Sequence, residues 1–304
     1  MTTCSVVIAS YNYGRYLSQT LDSVLAQTRQ PDEIVVVDDG STDNTREVAA
    51  PYVERGQIKY IHQENAGVSA AKQRAVEESS GELLAFLDAD DMWEPTKLEK
   101  QLPLFENGRI GAVYSKRFII DEHGERSSFQ HPPFYRGDII NQIFAYNFIA
   151  FSSTVVRRSV FERAGGYDFA LSTGEDYDLW IRMAALCEFD YIDEPLICYR
   201  RGHSNLTSNT PRLLANTVNI MRKELGDSNI ASRLSRHAVR TAWASVFSAY
   251  GRLRAAEGKP GQAFSMFCKS LFYQPFMAKT WNGLASLLLP RPCRNLAKRF
   301  IRQR

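Results

Sequence analysis

Across the first two hundred residues, apolar positions come in short blocks separated by polar turns. Residues 5–10 (SVVIAS) form a β-branched run that ends in the turn-forming string YNYG. Behind it Leu17, Leu21, Val24 and Leu25 recur at i, i+4, i+7 and i+8, one face of a helix that closes before Pro31. EIVVVDDGS (33–41) and GELLAFLDADD (81–91) are apolar without alternation, which marks strands covered on both faces and therefore parallel sheet. KYIHQ adds a shorter strand, and a Gly- and Ala-rich stretch from about Ser69 to Ser80 reads as a helix. The order β-α-β-β-α-β specifies an α/β domain with a largely parallel sheet. Ligands of such sheets sit beyond the carboxyl ends of the strands. Those ends carry Tyr11, Asp38 and Asp39, and Asp88, Asp90 and Asp91.

The last hundred residues carry helical patterns instead: NTVNIMRKEL, SRHAVRTAWASVFSAYGRLRAAEG and GQAFSMFCKSLFYQP. The stretch AYGRLRAAEGKPGQAFSMFCKSLFYQP resembles one tetratricopeptide-type hairpin, two amphipathic helices joined at Gly258-Lys259-Pro260-Gly261. One copy falls short of the roughly three that a stacked array needs. Charge changes with pattern. Residues 1–200 hold 19 Lys+Arg and 31 Asp+Glu, whereas residues 201–304 hold 18 and 3, so a net −12 gives way to +15. The expected domains are therefore 1–205 and 206–304. A length of 304 residues fits two domains at roughly 150 each.

With 44% apolar and 23% charged residues the chain is neither disordered, collagen-like nor a disulfide framework. No window of about 18 apolar residues exists for a spanning helix. The opening MTTCSVVIASYN lacks a basic n-region and a cleavage site, so it does not read as a secretory signal. Five cysteines (Cys4, Cys187, Cys198, Cys268, Cys293) include no CxxC pair and read as reduced thiols. These signs set the expected location in the cytoplasm. The tail RPCRNLAKRFIRQR has six basic residues and no acid, and with Leu296, Phe300 and Ile301 it could lie on an anionic membrane at the inner face. A solvated basic tail is the other reading; no nucleic-acid motif accompanies it, so no nucleic-acid partner is expected.

Five strings, VVIASYNYGRYLSQTLDSVLAQ, EIVVVDDGSTDNT, NAGVSAAKQRA, GELLAFLDADD and GEDYDLWIR, follow one another in this order. They resemble the successive motifs of family 2 glycosyltransferases, over residues 5–203. The resemblance implies the GT-A fold and inverting sugar transfer from a nucleotide-diphosphate donor, a UDP-sugar in the common case. The acceptor would be a glycan or lipid-linked hydroxyl in polysaccharide or glycolipid assembly, and the cofactor a divalent cation, Mn or Mg. The C-terminal helical extension lies outside this shared core.

Each motif has a physical task. Asp88, Asp90 and Asp91 crowd like charges behind a strand, and their natural stabiliser is a hard divalent cation; an N-cap run opening the helix near Pro95 is the bland alternative. The resemblance implies ribose contact for Asp88 and metal contact for Asp90 or Asp91. It places Ala9, Tyr11, Asp38 and Asp39 at the nucleotide, with Asp39 reading the base, while Asp43 reads as a helix cap. Lys72 stands where relatives often have Arg, as a point charge on phosphate without the guanidinium fork, and Arg74 is the nearest substitute. Asp176 is the implied general base, with Glu175 beside it to orient the acceptor. Trp180, one turn further on, reads as packing or as a sugar platform. His203, in YRRGHSN, matches a metal or pyrophosphate contact of the family, with Arg200 and Arg201 as phosphate partners. A loop histidine without such a duty is the other reading. Asn147, Ser152 and Ser153 could touch the acceptor or line a strand edge.

Three other classes were weighed. A sugar nucleotidyltransferase would need GxGTRxxPLT and a Rossmann dehydrogenase GxGxxG, and the chain has neither. A nucleotide-sugar-binding or inactive transferase-like module would be expected to have lost one of Asp39, the DxD acids or the late Asp, and all are present.

Overall fold

The computed structural model describes residues 2–127, 132–201 and 210–288. The chain divides into two compact units, Met1–Ile143 with Asn147–Leu206, and Phe144–Tyr146 with Thr207–Arg304. The strands are β1 (Cys4–Ser10), β2 (Glu33–Asp38), β3 (Lys59–His62), β4 (Leu83–Asp88), β5 (Met92–Trp93), β6 (Ile110–Ile120), β7 (Arg126–Ser127), β8 (Val155–Arg157) and β9 (Glu188–Arg200). The helices of the first unit are α1 (Gly14–Leu25), α2 (Thr45–Glu54), α3 (Val68–Glu77), α4 (Lys97–Gln101), α5 (Ile140–Ala145, at the boundary), α6 (Arg158–Arg163) and α7 (Glu175–Ala184).

The strands join one sheet in the order β3-β2-β1-β4-β8-β6-β9-β5, with β7 on β6. β3, β2, β1 and β4 are mutually parallel. β8 then runs antiparallel to both β4 and β6, while β6 and β9 are parallel. The unbroken apolar runs are explained by burial: Val6, Ile8, Val35, Val36, Leu84, Phe86 and Leu87 are all inaccessible. Register does the positioning. Ser10 lies opposite Asp38, Ala9 opposite Asp88, and Asp38 opposite His62, so the carboxyl ends of four strands finish along one edge.

The order of elements differs from the expected one by α2, which lies between β2 and β3. Only Thr45, Ala49 and Tyr52 of this helix are buried, and Pro51 sits inside it. Its apolar stripe is thin, and the proline is a stop signal to any reading of pattern alone. The helix is held to α1 by Tyr52, whose hydroxyl donates to Asp22 Oδ1 at 2.8 Å.

The second unit is helical: α8 (Thr210–Gly226), α9 (Ser228–Ala231), α10 (Arg236–Ala256), α11 (Pro260–Tyr273) and α12 (Ala278–Leu288). Asp227 and Ser235 cap α9 and α10 through their side chains. Gly258, at φ 74°, turns the chain from α10 into α11. Phe267 of α11 is fully buried and fits against Gly251 and Gly283, where an added Cβ would stand 2.5 Å from its ring.

In the first unit Gly14 opens α1 against the turn before α2. Its N–H donates to Asp43 Oδ2 at 3.0 Å, and a Cβ there would lie 2.4 Å from Asn44 Oδ1 and 2.8 Å from the Thr45 backbone nitrogen. Backbone cannot yield as a side chain can, so Gly14→Ala is expected to cost about 1–3 kcal/mol. Urea unfolding of the variant checks this; an unchanged midpoint would contradict the packing described.

Candidate active site

Two loops form one wall of the strand-end edge. Asn12 adopts a left-handed backbone at φ 60° and serves as a knot. Its Oδ1 accepts from the Thr42 N–H at 2.8 Å and the Asp43 N–H at 3.3 Å, and its own N–H donates to Ser41 Oγ at 2.9 Å. Asp43 accepts from the N–H of Gly14 and from the N–H and hydroxyl of Thr45. Burial works against its charge, yet the hydrogen bonds from Thr45 and Gly14 hold its carboxyl below the usual range. It ties the starts of two helices together. Tyr11, half exposed, is left at the rim.

Asp38 and Asp39 are both buried. Asp38 accepts from the Ser41 N–H at 2.9 Å and from the Tyr60 hydroxyl, one donor on each oxygen. Asp39 Oδ1 accepts from Gln63 Nε2 and the Ala66 N–H, each at 2.8 Å, and Oδ2 accepts from the Gly67 N–H at 2.9 Å. These bonds fold residues 63–67 over the strand ends and lead into α3. A carboxylate offers about four acceptor positions, so Oδ2 of Asp39 keeps room for one more donor. Ala9, a half-buried strand residue, offers the same edge only its backbone.

The centre of the site is Lys72. Its ammonium, 7% exposed, lies 2.8 Å from Glu175 Oε1, 3.3 Å from Asp88 Oδ1 and 3.5 Å from the Phe151 ring centroid. Burial opposes the charge, but Asp88 and Glu175 together hold the ammonium's pKa well above its ordinary value. This differs from the sequence expectation of a lysine reaching phosphate. The side chain comes from the inner face of α3 and is enclosed by two acids and a ring. Arg74, the suggested substitute, pairs instead with Glu78 on the same helix.

The three acids after β4 separate into different roles. Asp91 is fully enclosed: Ser152 Oγ donates to its Oδ2 at 2.5 Å and the Arg200 N–H to its Oδ1 at 2.9 Å. Burial, then Asp90 and Asp88, push its carboxyl well above the usual range. Asp88 is raised to about 6, chiefly by burial, against the pull of Lys72; its N–H donates to Ser152 Oγ at 3.1 Å. Asp90, 8% exposed, is held from behind, its carbonyl accepting from Arg200 Nε at 2.8 Å. The Tyr13 hydroxyl, raised by burial and by all three acids, stands within their field. Among the described residues no three His, Cys, Asp or Glu side chains converge as a metal cluster. His203 lies outside the described residues.

Arg200 also departs from its expected phosphate role. Its guanidinium donates to Gln19 Oε1 at 2.8 Å and to the Asp121 and Glu122 carbonyls, over the Tyr16 ring. It is a buried strut behind the acids. Ser152 likewise serves the acids, not a strand edge.

On the far side, Gly174 at φ 81° opens α7, and Glu175, Asp176 and Asp178 occupy the first turn, where acids complement the helix dipole. Asp176 Oδ2 accepts from Asn147 Nδ2 at 3.2 Å, and Oδ1 accepts from the Tyr177 N–H at 2.7 Å. Its pKa is raised to about 6, by burial first and then by Glu175, with Lys72 pulling the other way. Asp178 is fully buried on Arg182, which also donates to the Ala164 and Gly166 carbonyls and fixes the turn before α7. Trp180 is enclosed against Phe86 and Phe151 and is packing. The parts that sequence reading missed are Phe151 beneath Lys72 and the Lys72–Glu175 pair itself. Residues 103 positions apart gave no spacing signal.

Comparison with known proteins gives the family and the fold. Residues 5–165 match the model of the family described as Glycosyl transferase family 2. An uncharacterized glycosyltransferase of Nostoc sp. is 40% identical over 168 residues, 52% of this chain and 52% of that protein. The mannosyltransferase PcManGT of Pyrobaculum calidifontis, in complex with GDP-Man and Mn2+, superposes with TM-score 0.61 at 18% identity, covering 95% of this chain and 88% of that one. S. aureus TarS 1–349 in complex with UDP-GlcNAc gives TM-score 0.59 at 15% identity, with 94% and 90% covered. The chain spans about half the length of the curated relatives it matches first.

Removing the cation while leaving its acids is expected to be costly. Lys72→Met should destabilise the fold by about 3 kcal/mol near neutral pH, because Glu175 is left buried without its cation, while the one-third-exposed Asp88 is partly relieved by water. Asp88 already takes a proton near pH 6 with Lys72 present, so the loss should shrink as pH falls towards 5 and Asp88 is neutralised. Lys72→Arg should retain most of the stability. Urea titrations at pH 5 and 7.5 test this; a loss independent of pH would speak against the ion-pair account.

Proposed function

The chain belongs to glycosyl transferase family 2 and has the GT-A fold, and from that premise we propose an inverting transfer of a sugar from a nucleoside diphosphate, a UDP-sugar, to a hydroxyl of a glycan or lipid-linked acceptor. The observation that carries this reading is the placing of Asp176. It is partly buried and fixed by two donors, its affinity for a proton is tuned to about pH 6, and Lys72 ties it to the donor-side acid Asp88 through Glu175.

The nucleotide lies along the strand ends. The free acceptor position of Asp39 suits a base N–H, Tyr11 flanks the ring, and Asp88 faces the ribose. The acceptor oxygen attacks the anomeric carbon while its proton passes to a carboxylate oxygen of Asp176. The bond to the diphosphate oxygen breaks in the same displacement, and the configuration inverts. Asn147 keeps Asp176 aimed during this step, and the ionised Glu175–Lys72 pair beside it orients the acceptor.

The donor set at the strand tip suits a hard divalent cation: three carboxylates of one sign follow one another within four residues, and oxygen ligands are what such an ion takes. Asp90 would hold it with phosphate oxygens of the donor, since it is the more accessible of the two acids and Asp91 is enclosed behind Ser152 and the Arg200 N–H. A bound Mn2+ or Mg2+ supplies neutralisation of the charge on the leaving diphosphate. His203 would complete this set in the family pattern. The whole reaction is expected in polysaccharide or glycolipid assembly, at the inner face of a membrane when the acceptor is lipid-linked.

Asp176→Asn should reduce transfer by about 10²–10⁴-fold and leave nucleotide affinity within a few-fold. In the wild type kcat/KM should rise tenfold per pH unit up to about 6 and then level off, since the base works only when ionised. Assays with panels of UDP- and GDP-sugars read both; undiminished transfer by the variant would remove Asp176 from the mechanism. Asp90→Asn should abolish the Mn2+ dependence of nucleotide binding in calorimetry, whereas Asp91→Asn should act mainly on stability. The reverse pattern would exchange their roles.

A further inference from the structure

The second unit presents aromatic side chains to solvent where its sequence offers no negative charge. Four of its residues, all large aromatics, stand out between 264 and 281: Phe264 at 54% exposed, Phe272 at 75%, Phe276 at 94% and Trp281 at 53%. Phe264 and Phe272 lie on the side of α11 away from the buried Ala263, Phe267 and Ser270. The other two mark the turn that follows. Phe276 is in the α11–α12 connection, and Trp281 Nε1 donates to the Pro275 carbonyl at 2.7 Å, which fastens the indole to that same connection. Phe272, Phe276 and Trp281 therefore cluster about one end of the hairpin.

Cations surround this end. Arg240 donates to the Phe272 and Tyr273 carbonyls, both at 2.9 Å, at the C-terminus of α11, and exposed Lys279 sits between Phe276 and Trp281 in the chain. Over the described residues 258–288 the sequence contains three Lys and no Asp or Glu. Exposed aromatic rings cost free energy in water. A bare aromatic face flanked by Arg240 and Lys279, with no acid in its own helices α11 and α12, is complemented by a surface that is apolar beneath and anionic above. Phe and Trp enter the headgroup–acyl boundary, and Lys and Arg pair with acidic headgroups. The same patch of a second copy would bring like charge to a self-complementary contact. No described helix is long and apolar enough to cross a membrane, so the attachment is to one face of the bilayer.

We propose that the α11–α12 end of the second unit is a membrane-docking surface, with Phe272, Phe276 and Trp281 inserted at the interface of an anionic bilayer and Arg240 and Lys279 at its headgroups. This surface is separate from the basic tail after residue 290, and it stands whether or not the chemistry assigned to Asp176 is right.

The test uses the full chain with its tail intact and two kinds of vesicle, phosphatidylcholine with about 30% phosphatidylglycerol, and phosphatidylcholine alone. The wild type should bind the anionic vesicles, less so as salt rises, and its fluorescence should be quenched by brominated acyl chains. The triple variant F272S/F276S/W281S should bind at least about tenfold more weakly, and Lys279→Gln should weaken binding at low salt only. Since these side chains face solvent, circular dichroism and the unfolding midpoint should remain near those of the wild type. Wild-type binding by the triple variant would overturn the proposal and leave attachment to the tail. So would equal binding to neutral vesicles, or size-exclusion data in which the triple variant only splits an oligomer.

Discussion

One buried cation holds this site together. Lys72 lies in a space closed by Phe151, and two carboxylates from opposite sides of the site, Asp88 and Glu175, satisfy its charge. Removing an ammonium and two carboxylates from water costs several kcal/mol each, and the arrangement persists only because the charges face one another at contact distance. The consequence is mechanical as well as electrostatic. The end of β4 is tied through α3 to the start of α7, so the acid proposed to face the donor and the acid proposed to take the proton keep a fixed spacing.

The same constraint distributes protons. Lys72 holds down the proton affinity of Asp88 and of Asp176, while burial and neighbouring acids raise it, and both settle near pH 6. A carboxylate in that range is ionised at neutral pH yet holds a proton more firmly than a solvated aspartate. That suits a general base. Asp91 has the opposite treatment: enclosed by Ser152 and Arg200, it is part of the frame that presents Asp90.

Much of this edge was legible in the sequence, and for a physical reason. In a parallel block the carboxyl ends of neighbouring strands must finish on the same side, so the acids after 33–38 and 83–88 had to approach one another. The register of Ser10 with Asp38 and of Ala9 with Asp88 is that rule made concrete. Which acids stay available was not legible, because it depends on distant partners. Arg200 meets Asp91 across 109 positions and Tyr60 meets Asp38 across the sheet. The protein partners of Asp38, Lys72 and Arg200 are likewise invisible in a string of letters and come only from packing. Helix α2 was hidden by a thin stripe and by Pro51. In the second unit the helices were plain from their periodicity, but the exposure of Phe272 and Phe276 was not, since the pattern of an amphipathic helix does not say which aromatics are left over.

The most direct measurement is a crystal structure with uridine diphosphate and Mn2+. The account predicts the diphosphate at the carboxyl ends of β1, β2 and β4, the cation on Asp90, and Asp91 still enclosed by Ser152. Lys72 should remain between Asp88 and Glu175, with Asp176 open towards the empty sugar position. A nucleotide bound away from these strand ends, or a Lys72 swung onto phosphate with Glu175 released, would contradict it.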